Sequence, residues 1–418
     1  MHGMIVDWVA YNASTNPDKL AVMELPSRRT QTYSEMHNRV GRVANWLRSL
    51  GVSRGDRVGV LAHNSTDILD ILFATWRIGA IHLALNFRLT AQELDYILGD
   101  AKPRVLIHDE AFAGTAGALS VKIDHMVGTT GIGTPSAFET AISNRSPILE
   151  MVELQPDDMS MLMYSSGTTG RPKGVIITHG MMLWAQICIN APSVCTMDMV
   201  NLAVMPLFHI AGLQVFTCPA IFCGGTAIVM RAFDPEQVLA AFNDPQMAVT
   251  HFIGVPAIYN ALKDLSGNSE IDFSRLRVCK IGAEAAPVPL IKWWRERGVK
   301  LREGYGMTET AGTGVSLSEA NADRKQGSVG KPMRHLQIRI MKNEGGEALS
   351  GESGEIWFRG PVVTPGYWNN PQANEEAYVN GWFRTGDIGT RDEDGFIYIQ
   401  DRLKDMYIST LKSRKMRF

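Results

Sequence analysis

The 418-residue sequence predicts an α/β fold: two packed α/β subdomains followed by a small antiparallel, barrel-like β subdomain. Three observations carry this. Short apolar runs of strand type alternate with amphipathic stretches through the first two thirds, the pattern of a mostly parallel sheet covered on both faces. Near residue 325 the alternation stops, and strand-like pieces separated by glycine-rich turns take over. The composition, 45% apolar and 20% charged, excludes disordered and fibrous classes. At about 150 residues per domain the length holds two or three units. The expected divisions are 1–160, 161–325 with the glycine-rich loop described below, 326–401, and a hinge with a divergent tail over 402–418.

In chain order, Met36, Val40, Val43, Leu47 and Leu50 recur at helical spacing, and Gly51 follows as a stop. RVGVLA (57–62) reads as a strand. Thr66-Asp67 opens a helix that Gly79 closes, and IHLAL (81–85) is a buried strand. Thr90 and Glu93 have capping-box spacing ahead of the next helix, and VLIH (105–108) is a third strand. Asp234-Pro235 is an N-cap with proline at the first helical position. AVTHFI (248–253) and LRVCKIGA (276–283) read as strands, each leading to a helix; VKLREGYG runs into a glycine turn. QIRIM, GEIWFRG and GFIYIQ form the last part, where no helix is expected. The sequence shows no internal repeat and no low-complexity segment.

Forty-one Lys and Arg stand against 43 Asp and Glu, a net charge of −2 with a pI of ≈ 6.6. No global field draws nucleic acid or acidic lipid, so a polyanion would need a local site. Five cysteines without a close CxxC pair read as reduced, buried thiols of a cytoplasmic protein. The start MHGMIVDWVAYNAS lacks a basic leader and carries Asp7, so no secretory signal is expected. The uncharged stretch between Asp198 and Arg231 could span a bilayer by length. Pro206, Pro219, Gly224-Gly225, His209 and Gln214 interrupt it, favouring buried loop, helix and strand. No integral membrane segment is expected; peripheral association and oligomeric state stay open. The basic tail TLKSRKMRF reads as a solvated end.

The segment that stands out is Tyr164-Ser165-Ser166-Gly167-Thr168-Thr169-Gly170-Arg171-Pro172-Lys173-Gly174, set between MSMLM and VIIT. Such a loop can aim N–H and O–H donors at phosphate oxygens, and Lys173 adds positive charge. It is not a Walker A loop, because Gly174 and Pro172 flank Lys173. Composition alone fits a mobile surface hairpin equally well. Glu309 by itself reads as a helix-start acid, Gly386-Asp387 as a turn, 401–405 as a solvated charge run, His209 as a core histidine, and 282–287 as a strand-to-helix loop.

SSGTTGRPKG resembles, at every position, the phosphate-loop signature of the acyl-adenylate-forming superfamily, which holds acyl-CoA synthetases, luciferases and the adenylation domains of peptide synthetases. Further segments resemble that family in the expected order: Pro206-Leu207-Phe208-His209, Gly282-Ala283-Glu284-Ala285-Ala286-Pro287, Gly304-Tyr305-Gly306-Met307-Thr308-Glu309, Gly381 to Asp387, and Asp401-Arg402-Leu403-Lys404-Asp405. The resemblance runs from about residue 8 to 408. It implies the fold of the large N-terminal domain of acyl-CoA synthetases. It also implies nucleotide contacts from Ser165, Ser166, Gly167, Thr168, Thr169, Gly170 and Lys173, an adenine wall from Gly282, Ala283 and Glu284, and adenine stacking at Tyr305 beside Gly306. Thr308 would reach the α-phosphate region, Asp387 and Arg402 the ribose, and Glu309 with Thr168 a Mg²⁺ ion; Lys404 would be the hinge pivot. Lys173, His209, Thr308 and Glu309 are the implied catalytic group, His209 orienting the reacting carboxylate.

The implied reaction is attack of a carboxylate on the α-phosphorus of ATP, with coenzyme A as second substrate. That is the chemistry of an AMP-forming acid–thiol ligase of fatty-acid or other lipid metabolism. A peptide-synthetase adenylation domain fits less well, since Phe208-His209-Ile210-Ala211-Gly212-Leu213 offers no acid for a substrate ammonium. Ile210, Leu213, Val215 and Ile253 suit an aliphatic or aryl acid. After Ser409 the resemblance ends, and the family's C-terminal domain with its catalytic lysine has no counterpart here. The expectation is therefore retained ATP binding, slowed adenylation and nearly abolished thioester formation. A nucleotide-binding remnant or regulatory protein, or a frameshifted ligase, are the alternatives.

Overall fold

The structure, a computed structural model, describes residues 6–165, 171–266, 271–284 and 286–402. The expected α/β class forms, built on three sheets. The first has six strands in the order His125–Thr129, Val105–Asp109, Arg57–Leu61, Ile81–Ala84, Met159–Ser165 and Lys173–Thr178. All its neighbours are parallel except the final hairpin. The second has nine strands: Lys331–Pro332, Gly314–Ser316, Leu301–Gly306, Val278–Ile281, His251–Gly254, Val200–Ala203, Thr226–Met230, Leu20–Leu25 and Thr30–Thr32. Its interior is parallel and its edges are antiparallel. The third is antiparallel: Gln337–Met341, Gly354–Arg359, Trp382–Arg391 and Tyr378–Val379, with Ile397–Arg402 also on Trp382–Arg391.

Strand membership does not follow a linear cut at residue 160. Leu20–Leu25 leaves the N-terminal third to pair with Thr226–Met230, Val22 opposite Ala227. The hairpin of Met159–Ser165 and Lys173–Thr178 instead closes the edge of the first sheet. Both exchanges pair backbone groups along edges that would otherwise be exposed.

The helices form where periodicity and caps place them. Tyr33–Ser49 starts in a capping box of Thr32 and Glu35 and buries Met36, Val40, Val43 and Leu47. Ala91–Ala101 starts in the expected box of Thr90 and Glu93. Every residue of Thr66–Arg77 is buried, as expected of a helix that is apolar on most sides. Its two acids survive burial only because they are paired: Asp67 meets Arg29 and Arg39, each at 2.8 Å, and Asp70 meets Arg39 at 2.7 Å. An unpaired charge there would cost several kcal/mol, on the order of the effective penalty per buried ion.

The uncharged stretch folds as strand Val200–Ala203, helical turns over Ile210–Gly212 and Leu213–Thr217, helix Cys218–Phe222 and strand Thr226–Met230. Among the described residues no helix is long and apolar enough to cross a membrane. Four of the five cysteines are buried, Cys223 is half-buried, and none is in a disulfide. One expectation for the last part fails. A helix, Pro371–Ala377, lies within it, because Asn370 caps the Ala373 N–H and Pro371 stands at the first helical position.

Candidate functional site

Met159–Ser165 and Lys173–Thr178 pair with Ser165 opposite Lys173. This register holds both ends of the hydroxyl-rich loop. Ser166, Gly167, Thr168, Thr169 and Gly170 lie outside the described residues, as does Lys404. Gly174 is closely packed: a Cβ there would stand 3.0 Å from Tyr164 and 3.2 Å from Trp368.

The strand Leu301–Gly306 carries Tyr305 and turns back into Gly314–Ser316. The turn is tight. A Cβ on Gly306 would lie 2.8 Å from the carbonyl oxygens of Gly312 and Thr313. It contains the single helical turn Thr308–Thr310, which buries Glu309 to 6% exposure. Glu309 Oε1 accepts from Tyr367 Oη–H at 3.0 Å and from Ser165 Oγ–H at 3.4 Å. Its carbonyl accepts from Thr364 N–H at 2.7 Å. Lys173 Nζ stands 5.1 Å from the Tyr367 ring centroid. Ser165, Lys173 and Glu309 thus meet around Tyr367. Burial pushes the Glu309 carboxyl above its ordinary range, and the two hydroxyl donors partly offset this.

At the other end of the turn, Tyr305 donates to Asp387 Oδ2 at 2.5 Å and stacks on Phe358 at 5.8 Å. Asp387 is 7% exposed on the strand Trp382–Arg391. Burial and the neighbouring carboxylate raise the Tyr305 phenol, so it stays a donor. The three sheets each contribute: Ser165 and Lys173 from the first, Tyr305 from the second, Asp387 from the third.

The remaining residues lie around this group with fewer direct links. A Cβ on Gly282 would be 3.2 Å from the Gly304 carbonyl, so the small-residue segment lies against the Tyr305 strand. Ala283 takes φ 69° in the left-handed region, and both Ala283 and Glu284 are exposed. Arg402 is in backbone register with Asp387. Thr308 opens the Glu309 turn and is half-buried. His209 caps the turn Ile210–Gly212, its Nδ1 accepting from Ala211 N–H at 3.2 Å. That bond leaves Nε2 as the protonated nitrogen. The ring has an open face, yet the surrounding protein desolvates it and lowers its pKa. Its link to the Glu309 turn is indirect: a Cβ on Gly312 would lie 3.4 Å from Ile210.

Sequence reasoning missed several residues here. Tyr367, Thr364 and Asp100 carry no local signal, because their partners are far along the chain. Asp100 accepts from Tyr164 Oη–H at 2.5 Å and from Asn369 at 3.2 Å, and its carbonyl accepts from Trp368 Nε1–H at 3.3 Å. Lys280 did carry a signal, a lysine inside the apolar run VCKI. It is 5% exposed, with no acid partner among the described residues, and its ammonium lies 5.5 Å from the Phe216 ring. Burial draws its pKa down to about 8. Two residues before Gly282, it shares that glycine's strand face. Gln214, fully buried in the turn Leu213–Thr217, has both amide ends without a partner among the described residues.

Among the described residues no group of three or more His, Cys, Asp or Glu could cage a metal alone. A single carboxylate beside hydroxyls is the donor set that suits Mg²⁺ carried in with phosphate oxygens. A cavity of ≈ 490 Å³ opens elsewhere, beside His335, Leu336, Gln337, Arg359 and Gly360. Its lining lacks the carboxylates and hydroxyls gathered around Glu309, so the convergence of side chains, not cavity size, locates the site.

Comparison with known proteins gives the family and the fold. Feruloyl-CoA synthase of Amycolatopsis sp is 38% identical over 402 residues, covering 96% of this chain and 79% of the relative. Long-chain-fatty-acid–CoA ligase FadD13 of Mycobacterium tuberculosis is 33% identical over 407 residues, 97% of this chain and 80% of the relative. In structure, the inhibitor-bound N-terminal domain of FACL13 from Mycobacterium tuberculosis superposes with a TM-score of 0.89 at 29% identity, covering 96% of this chain and 100% of that domain. O-succinylbenzoate coenzyme A synthetase from Bacillus subtilis, in complex with AMP, gives 0.85 at 28% identity, covering 96% of this chain and 80% of that one. The family model described as AMP-binding enzyme matches residues 9–368, so the sheets and the polar cluster above are those of a chain that belongs to the AMP-binding enzymes.

Proposed function

We propose that this chain activates a carboxylic acid with ATP, forming an acyl-adenylate and pyrophosphate, and that the acyl group then passes to the thiol of coenzyme A. The observation that carries this reading is the pair of polar ends on one short turn. Lys173, Ser165 and Glu309 form an end suited to phosphates, and Tyr305 with Asp387 an end suited to a nucleoside. Three residues separate Tyr305 from Glu309, which suits one extended nucleotide lying across both.

Both reactants are anions, so the chain must neutralise charge and align the attack. Lys173 supplies a cation at the phosphate end. Glu309 and Thr168 would hold Mg²⁺, which when bound neutralises phosphate oxygens. Asp387, an acceptor with two oxygens, would take the ribose hydroxyls together with Arg402. Gly282, Ala283 and Glu284 would flank the base, with Ser166, Gly167, Thr169 and Gly170 around the phosphates and Gly306 and Thr308 beside them. His209, with its proton on Nε2, would orient the substrate carboxylate. It need not act as a base, since a carboxylic acid is already ionised at neutral pH.

On the acid side we favour an aryl acid bearing a polar substituent over a plain long-chain fatty acid. Beneath Gly282 the strand presents Lys280, and a buried ammonium without an acid partner is costly unless a ligand supplies an acceptor. Ile253 stands opposite Lys280 in register and supplies an apolar wall. Two of the relatives, feruloyl-CoA synthase and 2-succinylbenzoate–CoA ligase, carry names that fit that preference, whereas the name of FadD13 fits a long-chain acid.

The test is acid-dependent pyrophosphate release from ATP across a panel of hydroxyaryl, dicarboxylic and long-chain acids, followed by thioester formation with coenzyme A. Release with none of the acids, alongside normal AMP binding, would instead mark a protein that holds nucleotide without turnover.

A further inference from the structure

Lys173 and Glu309 carry opposite charges at the same end of the site, yet they do not form an ion pair. Tyr367 contacts both. Its hydroxyl donates to Glu309 at 3.0 Å, and its ring carries Lys173 Nζ at 5.1 Å from the centroid. We propose that Tyr367 is a positioning residue that acts as a spacer, keeping the lysine and the carboxylate apart so that each stays available, one for phosphate and the other for the metal. This rests on the reading of Lys173 and Glu309 proposed above.

The spacer is itself held firmly. Tyr367 N–H donates to Asn374 Oδ1 at 2.6 Å, and Asn374 Nδ2–H returns a bond to the Tyr367 carbonyl at 3.2 Å. On either side, the Gly366 carbonyl accepts from Ile176 N–H at 3.1 Å and Trp368 N–H donates to the Gly174 carbonyl at 2.7 Å. The tyrosine is therefore stitched to the strand that begins with Lys173, and its ring moves with that strand. Gly366, at φ 151°, permits the close approach, since a Cβ there would stand 2.7 Å from Asn374 Oδ1.

The physical need is plain. In a partly desolvated site a direct ammonium–carboxylate pair would be strong. Each ligand would then have to break it. An aromatic face holds an ammonium less tightly than a carboxylate does, and a phenol satisfies one carboxylate oxygen while leaving the other open.

Two variants separate the two halves of the role. Tyr367→Phe keeps the ring and removes the donor; Tyr367→Leu removes both. Calorimetric titration of Mg²⁺ into protein saturated with a non-hydrolysable ATP analogue should show about tenfold weaker metal binding in Tyr367→Phe, where Glu309 loses the hydroxyl that holds its carboxylate in place. Metal-free binding of the same analogue should stay near wild type in Tyr367→Phe and fall about tenfold in Tyr367→Leu, where Lys173 can collapse onto Glu309. A Tyr367→Phe metal titration equal to wild type overturns the proposal, even if Tyr367→Leu fails to fold. Wild-type protein that binds no analogue at all fails the underlying functional reading instead, and takes the spacer role with it.

Discussion

Tyr305 donates a hydrogen bond to Asp387 across 82 positions of sequence and 2.5 Å of space. The bond ties the nine-stranded sheet to the antiparallel sheet, at the end of the site proposed for the nucleoside. It also fixes the orientation of the Asp387 carboxylate. Asp387→Ala should weaken AMP binding by about 1–3 kcal/mol, the range for a charged hydrogen-bond partner. Tyr305→Phe should cost less, because Asp387 itself survives. Calorimetry with AMP on both variants checks the order; equal affinities for wild type and Asp387→Ala would remove Asp387 from the ribose.

Lys280 is a test of substrate class. Replacing it with Met keeps length and removes the desolvated ammonium. The folded pKa, about 8, lies below the ordinary 10.5. The burial cost is thus present below pH 8 and relieved as pH rises from about 8 to 10.5. Lys280→Met should therefore be more stable than wild type at pH 7, by about 1–3 kcal/mol, with the advantage shrinking above pH 8. The same variant should lose kcat/KM for acids with a distal acceptor and lose little for unsubstituted ones. An unchanged acid profile would take Lys280 out of the acid pocket.

Glu24 gives the opposite sign. Fully buried, it accepts from Thr66 N–H at 3.3 Å and from Ser27 at 3.2 Å, and desolvation lifts its pKa from 4.5 to about 7. The nearby Asp67 adds to the lift, and Arg29 opposes it. A carboxyl raised in this way binds its proton more tightly when folded, so stability declines as pH rises from about 4.5 to 7. Glu24→Gln should flatten that decline, gaining on wild type by about 1–3 kcal/mol between pH 5 and 8. Denaturant melts at both pH values decide it; parallel curves would show that Glu24 titrates normally.

Asp100 braces the hairpin from behind. Its side chain binds both Tyr164, one residue before the loop, and Asn369, two residues after Tyr367. Asp100→Ala should destabilise the fold by about 1–3 kcal/mol by leaving a half-buried phenol unpaired. It should also raise KM for ATP more than KM for the acid. Asp100→Asn, which keeps an acceptor, should recover most of both. Equal rises in the two KM values would mean only general loosening.

Much of this was readable from the residues. Capping boxes at Thr32 and Thr90, the stop at Gly51 and the alternation of strand and helix are local, and local physics sets them. The segments around Lys173, Tyr305, Glu309 and Asp387 stood out for the same reason, being short and chemically unusual. What was not readable depends on distant partners. Tyr367 matters because Glu309 and Lys173 come to it, and nothing in TPGYWNN says so. The cut at residue 160 misled because sheet membership is decided by pairing between far-apart strands, which no run of residues announces. The helix Pro371–Ala377 is a different case: its cap Asn370 and the proline after it are local, and reading the last part as strands alone passed over them.

The pairing of Leu20–Leu25 with Thr226–Met230 sets a timetable for synthesis. Translation at about 5–20 residues per second leaves the early strand waiting on the order of 10–40 s for its mate. Through that interval a β-ribbon, Leu20 to Thr32, whose first strand is mostly apolar, is born without a sheet to join. A sticky edge of that kind invites pairing with neighbouring chains. Yield in a cell should therefore track how well the nascent segment is shielded, and slow codons placed just before Thr226 would lengthen the hazard.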